Sequence, residues 1–414
     1  MQASSVEVWI WLLLVMTPHN PKTVQLLERF GSAEAAARAI RDGKGVNLSS
    51  AEQQRARNTR VREVRQIIEE CARNDIRIVT LDDPEYPSML KNIYSPPIVL
   101  FVRGTLKCLV GEVPLAVVGP RRPSDYAVRA AGMLCGDLAR IGTVMVSGLA
   151  VGIDTVAHTC AVNAGVPTIG VLACGHLVHY PIECEELKRR IVDGGGAVIS
   201  ELLPHAEVEA RYFHNRNRII SGLGLGTLVV EASTRSGCLL TANHAIEQGR
   251  DLFCVPPGDI TRESCAGVVP YLRDGAIPVF DYLDIVHEYM YHYFNRIDTE
   301  LLNDKFRHAS SASKTAAAHK EKRTPARPTA EKPPEKKPQP PVTPAPPEPK
   351  ESKPLPELNE VQAQLFGLAS EQPRTADELI ELTGIAYVEA AEALTELEIM
   401  GLLRLLPDGK YEKA

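Results

Sequence analysis

The sequence predicts an α/β protein: a Rossmann-like parallel-sheet core with an N-terminal helical domain and a C-terminal winged helix. Three observations carry this expectation. Through the centre, short apolar runs alternate with helical stretches, as when crossover helices cover both faces of a parallel sheet. The first 75 residues are helix-rich. Beyond a proline-rich break, residues 357–414 read as three helices and a short hairpin. The chain has 414 residues, 44% of them hydrophobic and 24% charged. That is room for two to three domains of roughly 150 residues each, and it excludes wholesale disorder.

The N-terminal domain, residues 1–75, is expected to be a structural, SAM-like helical unit, alanine-rich over Ser32 to Ile40 and amphipathic over Arg55 to Cys71. A helix-hairpin-helix turn would fall at Thr17-Pro18-His19-Asn20-Pro21, but this lacks the glycines that let backbone approach phosphate closely. The apolar run Val8 to Met16 is nine residues long, far short of the roughly 20 that span a bilayer. It follows Glu7 rather than a basic segment, so it reads poorly as a signal peptide. The nine cysteines contain no CxxC pair, which suits reduced thiols and a cytoplasmic location.

The core is placed at residues 76–300. Its strand candidates are Leu115 to Val118, Thr143 to Val146, Thr168 to Leu172, Ala197 to Ile199, Thr227 to Val230 and Leu252 to Val255. Helices are expected over Tyr126 to Ile141, Asp154 to Ala164 and Leu239 to Gln248.

In such sheets ligands gather beyond the carboxyl ends of the strands, where helix N-termini favour anions. Four strand-end segments here have suitable chemistry. Gly119-Pro120-Arg121-Arg122 combines close backbone approach with guanidinium forks matched to phosphate. Ser147-Gly148, at the head of a run to Asp154, can form an amide nest, while Asp154 and His158 read as a cap and a satisfied structural group. Phe213 with Arg216, Asn217 and Arg218 sets cations beside an aromatic ring, ahead of the glycine-spaced Gly222 to Gly226. Such patches suit a single strand, since stacking contributes ~1–3 kcal/mol per base. Ser236-Gly237 opens a further helix toward phosphate.

Several chemistries lack their motifs. No GxxxxGK[ST] loop, metal-ligand spacing or GxGxxG turn is present, so no metal and no cofactor is expected. Glu201 and Glu231 stand at strand ends without a partner in sequence, and no catalytic residue is assigned.

His308 to Pro356 holds 13 prolines, ten Lys or Arg and five Glu, net +5, and is expected to be a disordered linker. In the winged helix that follows, helices are expected over Val361 to Leu368, Ala376 to Leu382 and Ala386 to Met400, then a hairpin turning at Pro407-Asp408-Gly409. The third helix carries Glu389, Glu392, Glu396 and Glu398 and no cation, so it reads as a protein-contact module rather than a DNA reader.

Taken in order, many spaced blocks resemble the DNA-processing protein A (DprA/Smf) family. They run from Asp83-Pro84-Glu85-Tyr86-Pro87 through Val118 to Arg121, Ser147 to Asp154, Tyr180-Pro181 and Arg216-Asn217-Arg218 to Pro256-Pro257-Gly258 and Gly275-Ala276. The resemblance implies a Rossmann-like core that binds single-stranded DNA and loads the recombinase RecA onto it in natural transformation, usually as a homodimer and without catalysis. By motif, Arg121 matches the family's phosphate-pocket arginine, Arg216 and Arg218 its Arg-Asn-Arg element, and Ser147, Gly148, Ser236 and Gly237 its pocket turns. Pro120, Val151, His214 and Ile182 depart from the common pattern. Residues 113–287 hold 14 basic and 18 acidic side chains, and the whole chain carries a formal charge of −6. A coating protein is thereby excluded, whereas a local patch is not. A second class stays open. Gly226-Thr227 followed by Glu231 resembles the glycine-threonine-glutamate segment of phosphoribohydrolases, nucleotide-processing enzymes on a related fold.

Overall fold

The computed structural model describes residues 6–110, 112–293 and 358–383, with parts of 385–413. The chain divides into two compact units, Met1–Pro325 and Ala326–Ala414. The N-terminal helices and the sheet therefore share one unit. The expected linker lies outside the described residues.

Five helices open the chain: α1 (Val6–Met16), α2 (Pro21–Phe30), α3 (Ala33–Asp42), α4 (Ser50–Asn58) and α5 (Val61–Arg73). Helix α1 is apolar nearly all round, and such a helix belongs in a core. Seven of its eleven residues are buried. They pack against α3, α5 and the strand residues Val99 and Phe101. Local signals set the helix ends: Ser32 caps α3, Ser49 and Glu52 form a reciprocal capping box on α4, and Gly31 and Gly43 close α2 and α3 in the left-handed conformation.

The sheet follows: β1 (Arg77–Thr80), α6 (Ser88–Lys91), β2 (Val99–Gly104), β3 (Pro114–Val118), α7 (Asp125–Arg140), β4 (Val144–Ser147), α8 (Ile153–Asn163) and β5 (Thr168–Val171). Then come α9 (Glu185–Asp193), β6 (Ala197–Ser200), α10 (Ala210–Leu223), β7 (Gly226–Val229), α11 (Cys238–Glu247) and β8 (Asp251–Cys254). Short helices α12 (Glu263–Ala266) and α13 (Val269–Arg273), edge strand β9 (Ile277–Pro278) and α14 (Tyr282–Tyr293) complete the unit. Strand order is β1-β2-β6-β5-β4-β3-β7-β8-β9. Strands from β6 through β9 are parallel, while β1 and β2 add an antiparallel margin. All six expected strands and three expected helices are present. The margin strands and α10 were not legible.

Pleat alternation builds two cores. Leu115 and Val117 face α7, α8 and α14, whereas Ala116 and Val118 face α6, α10 and α11. The chain leaves β3 toward β4 and later returns on its other side as β7, so α7 and α11 start on opposite faces. That divergence opens a crevice at the carboxyl ends of β3 and β7. The glycine run Gly222 to Gly226 is structural. A Cβ on Gly222 would press on Leu90 and Ile93, and one on Gly224 would meet the backbone of β3.

The turn after α1 ties the helices to the sheet. Thr17 and His19 adopt positive φ. The His19 amide donates to Glu201 Oε1 at 3.2 Å, and its Nδ1 accepts from Arg218 Nε at 2.8 Å. Arg218 and Glu201 form an ion pair at 2.6 Å, both almost fully buried. Glu52 anchors the same turn, accepting from Asn20, Lys22 and the Ser49 amide. Burial raises its pKa, but these hydrogen bonds outweigh that and bring it to about 2.

The second unit contains helices Glu360–Glu371 and Ala376–Thr383 and a three-stranded sheet. Its hairpin pairs Leu403–Leu405 with Lys410–Lys413. Most of the expected third helix, its four glutamates and the Pro407-Asp408-Gly409 turn lie outside the described residues. All nine cysteines are free thiols. Among the described residues no helix is long and apolar enough to cross a membrane.

Removing one partner of a buried ion pair costs about 3–5 kcal/mol. Glu201→Ala is expected to lower unfolding free energy by that much in urea titration, and a loss under about 1 kcal/mol would show that the Arg218–Glu201 pair does not tie the turn to the sheet. Glu52 has a depressed folded pKa, so its contribution is complete above the ordinary carboxylate range and fades as pH falls toward about 2. Glu52→Gln should therefore flatten the decline in stability between about pH 5 and pH 2.

Candidate nucleic-acid interface

A cleft of about 530 Å³ occupies the crevice between the β3 and β7 loops. Seven of the eleven expected binding residues line it: Gly119, Arg121, Phe213, Arg216, Asn217, Ser236 and Gly237. His214, Asp154, Cys238 and Thr241 also contribute.

The floor is built around Arg216 on α10, 7% exposed. Its Nη1 donates to Gly148 O at 2.6 Å and to Val171 O, at the carboxyl ends of β4 and β5. Its Nε reaches Asn217 Oδ1 at 3.3 Å. Burial lowers the guanidinium pKa to about 10, although nearby Asp154 pulls the other way. The group stays charged at neutral pH. A Cβ on Gly148 would overlap it, so glycine there is a steric requirement.

Asp154 organises the adjoining turn. Its Oδ2 accepts from the Gly148 amide at 3.1 Å and from Ala150 at 3.3 Å. Burial raises its pKa, opposed by Arg216 and these hydrogen bonds. Leu149 between them takes φ 54°, a left-handed conformation unusual for leucine. Gly152, at φ 97°, lets this turn pack on the Pro120 carbonyl. His158 is fully buried, hydrogen-bonded to Thr168 Oγ1 at 2.8 Å, with burial pushing its pKa down to about 3. It is structural, as its setting in the sequence suggests.

At the mouth, Arg121 is exposed and lies over the Phe213 ring, 4.8 Å from its centroid. Tyr180 packs edge-on against the same ring at 5.9 Å, and its hydroxyl accepts from Arg121 Nη1 at 3.5 Å. Lys188 holds Tyr180 in turn by donating to its carbonyl at 2.9 Å. On the opposite wall, Ser236, Gly237 and Cys238 form the start of α11, which no side chain caps. Its amides and macrodipole favour an anion there. Asn217 Nδ2 binds Gly237 O at 3.3 Å and ties this wall to α10. Burial pushes the Cys238 thiol up to about 11, so it remains protonated.

Four expected residues stand elsewhere. Arg218, 2% exposed, points from α10 toward Glu201 and His19 and does not line the cleft. Ser147 is buried, its hydroxyl donating to Val117 O at 2.6 Å, so it braces two strands instead of offering a donor to ligand. Gly148 lies behind Arg216 and lines an adjoining dimple of about 30 Å³. Arg122 is exposed outside the cleft lining.

The glutamates that might have served an enzyme are committed. Glu231 accepts from the Ser124 amide at 2.9 Å and faces Ser264 and Cys265, holding the start of α7, while Glu201 pairs with Arg218. Among the described residues no cluster of His, Cys, Asp or Glu could hold a metal ion. Asp154 holds its turn, in keeping with its reading as a cap, whereas Tyr180 joins the cleft mouth without having been singled out as a site residue. Tyr180 acts through a ring contact with Phe213, 33 positions away, and only the Tyr180-Pro181 block hinted at it.

A family model described as DNA recombination-mediator protein A matches residues 77–290, and one described as DprA winged helix domain matches residues 335–409. The chain is 37% identical over 213 residues to the DNA processing protein DprA of Bacillus subtilis, covering 51% of this chain and 71% of that one. It is 28% identical over 369 residues to Protein Smf of Synechocystis, covering 84% and 83%. The solved structure of DNA processing protein A from Streptococcus pneumoniae aligns with a TM-score of 0.61 at 29% identity, covering 69% of this chain and 99% of that one.

Arg216→Ala would leave two buried carbonyls without their donor, at about 1–3 kcal/mol each. The expected outcome is a destabilised protein with a lower thermal midpoint in calorimetry. A variant of unchanged stability would show that the guanidinium does not hold the two strand ends together.

Proposed function

The chain belongs to the DNA recombination-mediator protein A (DprA/Smf) family, and from that premise we propose that its cleft binds single-stranded DNA for delivery to the RecA recombinase in natural transformation. The observation that carries the reading is the mouth of the cleft. There an exposed arginine, two aromatic rings and an uncapped helix start surround one crevice. An unpaired strand offers phosphates to the first and last of these and ring faces to the second. A duplex hides its base faces in the stack, which favours the single strand.

The roles divide accordingly. Arg121, with the exposed Arg122 beside it, takes phosphate. Phe213 takes a base, and at the start of α11 the Gly237 amide and the Ser236 hydroxyl face a second phosphate. Arg216, Asn217, Ser147, Gly148 and Gly119 shape the site, and Arg218 secures α10. Binding here needs no bond-breaking step. The commitment of Glu231 to Ser124 supports a non-enzymatic reading over a phosphoribohydrolase. The homodimer implied by the family resemblance would place two such clefts on one assembly, with the 357–414 winged helix as a protein-contact module.

Arg121→Ala is expected to weaken oligonucleotide binding several-fold and to make the log–log salt slope shallower by ~0.7, one phosphate contact on a single strand. Fluorescence anisotropy across salt concentrations measures both. Unchanged affinity and slope would remove Arg121 from the interface. For the delivery step, the protein should shorten the lag of RecA assembly on a strand already coated by single-strand-binding protein, and an unaltered lag would refute that step.

A further inference from the structure

The rim of the cleft carries few unengaged cations and two exposed apolar side chains. Val151, in the turn before α8, is 44% exposed, and Ile182, directly after Pro181, is 73% exposed. Single exposed apolar side chains are ordinary. Here Val151 lines one dimple with the half-buried Tyr180–Phe213 pair, Pro181 and Arg121, and Ile182 is the residue that follows Pro181 out of that dimple. The neighbouring cations are engaged: Arg216 by strand carbonyls, Lys188 by Glu185 and the Tyr180 carbonyl, Arg211 by Glu209. Glu183 and Glu186 are exposed beside Ile182.

A strand bound through its phosphates needs several cations along its path, each adding ~0.7 to the salt slope. This rim supplies the exposed guanidinium groups of Arg121 and Arg122 and, next to Ser236, that of Arg235, so the electrostatic part of binding corresponds to about three contacts, a slope of about 2.1. The remaining free energy must come from surface that salt does not screen. Stacking on aromatic rings is of that kind, as is burial of apolar side chains against base faces.

We propose that nucleobases, not phosphates, supply most of the binding free energy at this cleft, with Val151 and Ile182 extending the Tyr180–Phe213 platform. This inference rests on the single-strand reading above. It makes Ile182 and Val151 specificity-determining residues that favour a strand with accessible bases over any polyanion of equal charge.

The test uses the full-length protein with labelled oligothymidine and with an abasic oligonucleotide of the same length and charge, titrated at several salt concentrations. The abasic strand is expected to bind at least about tenfold more weakly, and the oligothymidine slope to stay below about 2.2. Ile182→Ser should weaken oligothymidine binding several-fold at unchanged slope. Ile182→Lys should steepen the slope by ~0.7 and narrow the gap between the two strands. Circular dichroism melting of both variants, at a surface position, controls for folding. Equal affinity for both strands with a slope beyond about 3 would overturn base-driven binding while leaving the single-strand reading intact. Failure to bind either strand would overturn both.

Discussion

Arg216 carries a charge into a place that water barely reaches, and the two carbonyls it binds, Gly148 O and Val171 O, end neighbouring strands. Parallel strands finish with their last carbonyls converging, a concentration of partial negative charge that helix amides usually meet from outside. Here a guanidinium meets it from within. Burial weakens the hold on the proton, yet a pKa near 10 keeps the group cationic. The same group thereby ties β4 and β5 to α10 and leaves a positive potential at the cleft floor. The rest of the site is arranged around it: Gly148 has no side chain because the guanidinium occupies that space, Asp154 shapes the turn beside it, and Asn217 links it to the start of α11.

The same helix looks the other way two residues later. Successive residues on an α-helix are about 100° apart, so positions 216 and 218 diverge by about 200° and cannot face one cleft. Arg218 turns to Glu201 and to His19 in the loop after α1. The loop that leaves α1 is thus fastened to the back of the helix that bears Phe213 and Arg216. A disturbance of that loop reaches the cleft through a rigid element with a buried ion pair at its root, where partial loosening is costly. A separate, loosely tethered N-terminal domain would exert no such constraint.

This geometry also explains what the sequence conceals. The parallel strands are legible because burial on both faces makes them continuous apolar runs, as in Leu115 to Val118. The strand-end position of Arg121 and of Ser236-Gly237 follows from the same pattern. Helix α10 is obscured because Arg216, Asn217 and Arg218 are buried polar residues, and a polar run beside a glycine-spaced one reads as a loop. Had the helix been recognised, the helical angle alone would have separated Arg216 from Arg218. Margin strands β1 and β2 are four and six residues long and pair antiparallel with a sheet otherwise parallel, so no alternation of strand and helix announces them. Ser147 shows the converse limit: a serine in a promising turn, whose hydroxyl is taken by a neighbouring strand.

An acidic protein that binds a polyanion must keep its acids away from the ligand or neutralise them where they lie. Around this cleft the second course is taken for most acids, with Glu183 left exposed. Glu185 and Glu186 open α9, where the helix macrodipole favours carboxylates. Glu185 is paired with Lys188 and His179, Glu186 with Arg189, and Glu209 with Arg211. These pairs are largely exposed and contribute little to stability, but they cancel charge near the rim and absorb the cations that would otherwise track a phosphate backbone. The local field is left to Arg121, Arg122, Arg235, the buried Arg216 and the start of α11. Net charge therefore says little about the cleft: one set of pairings both permits an anion and limits how many phosphates it can engage.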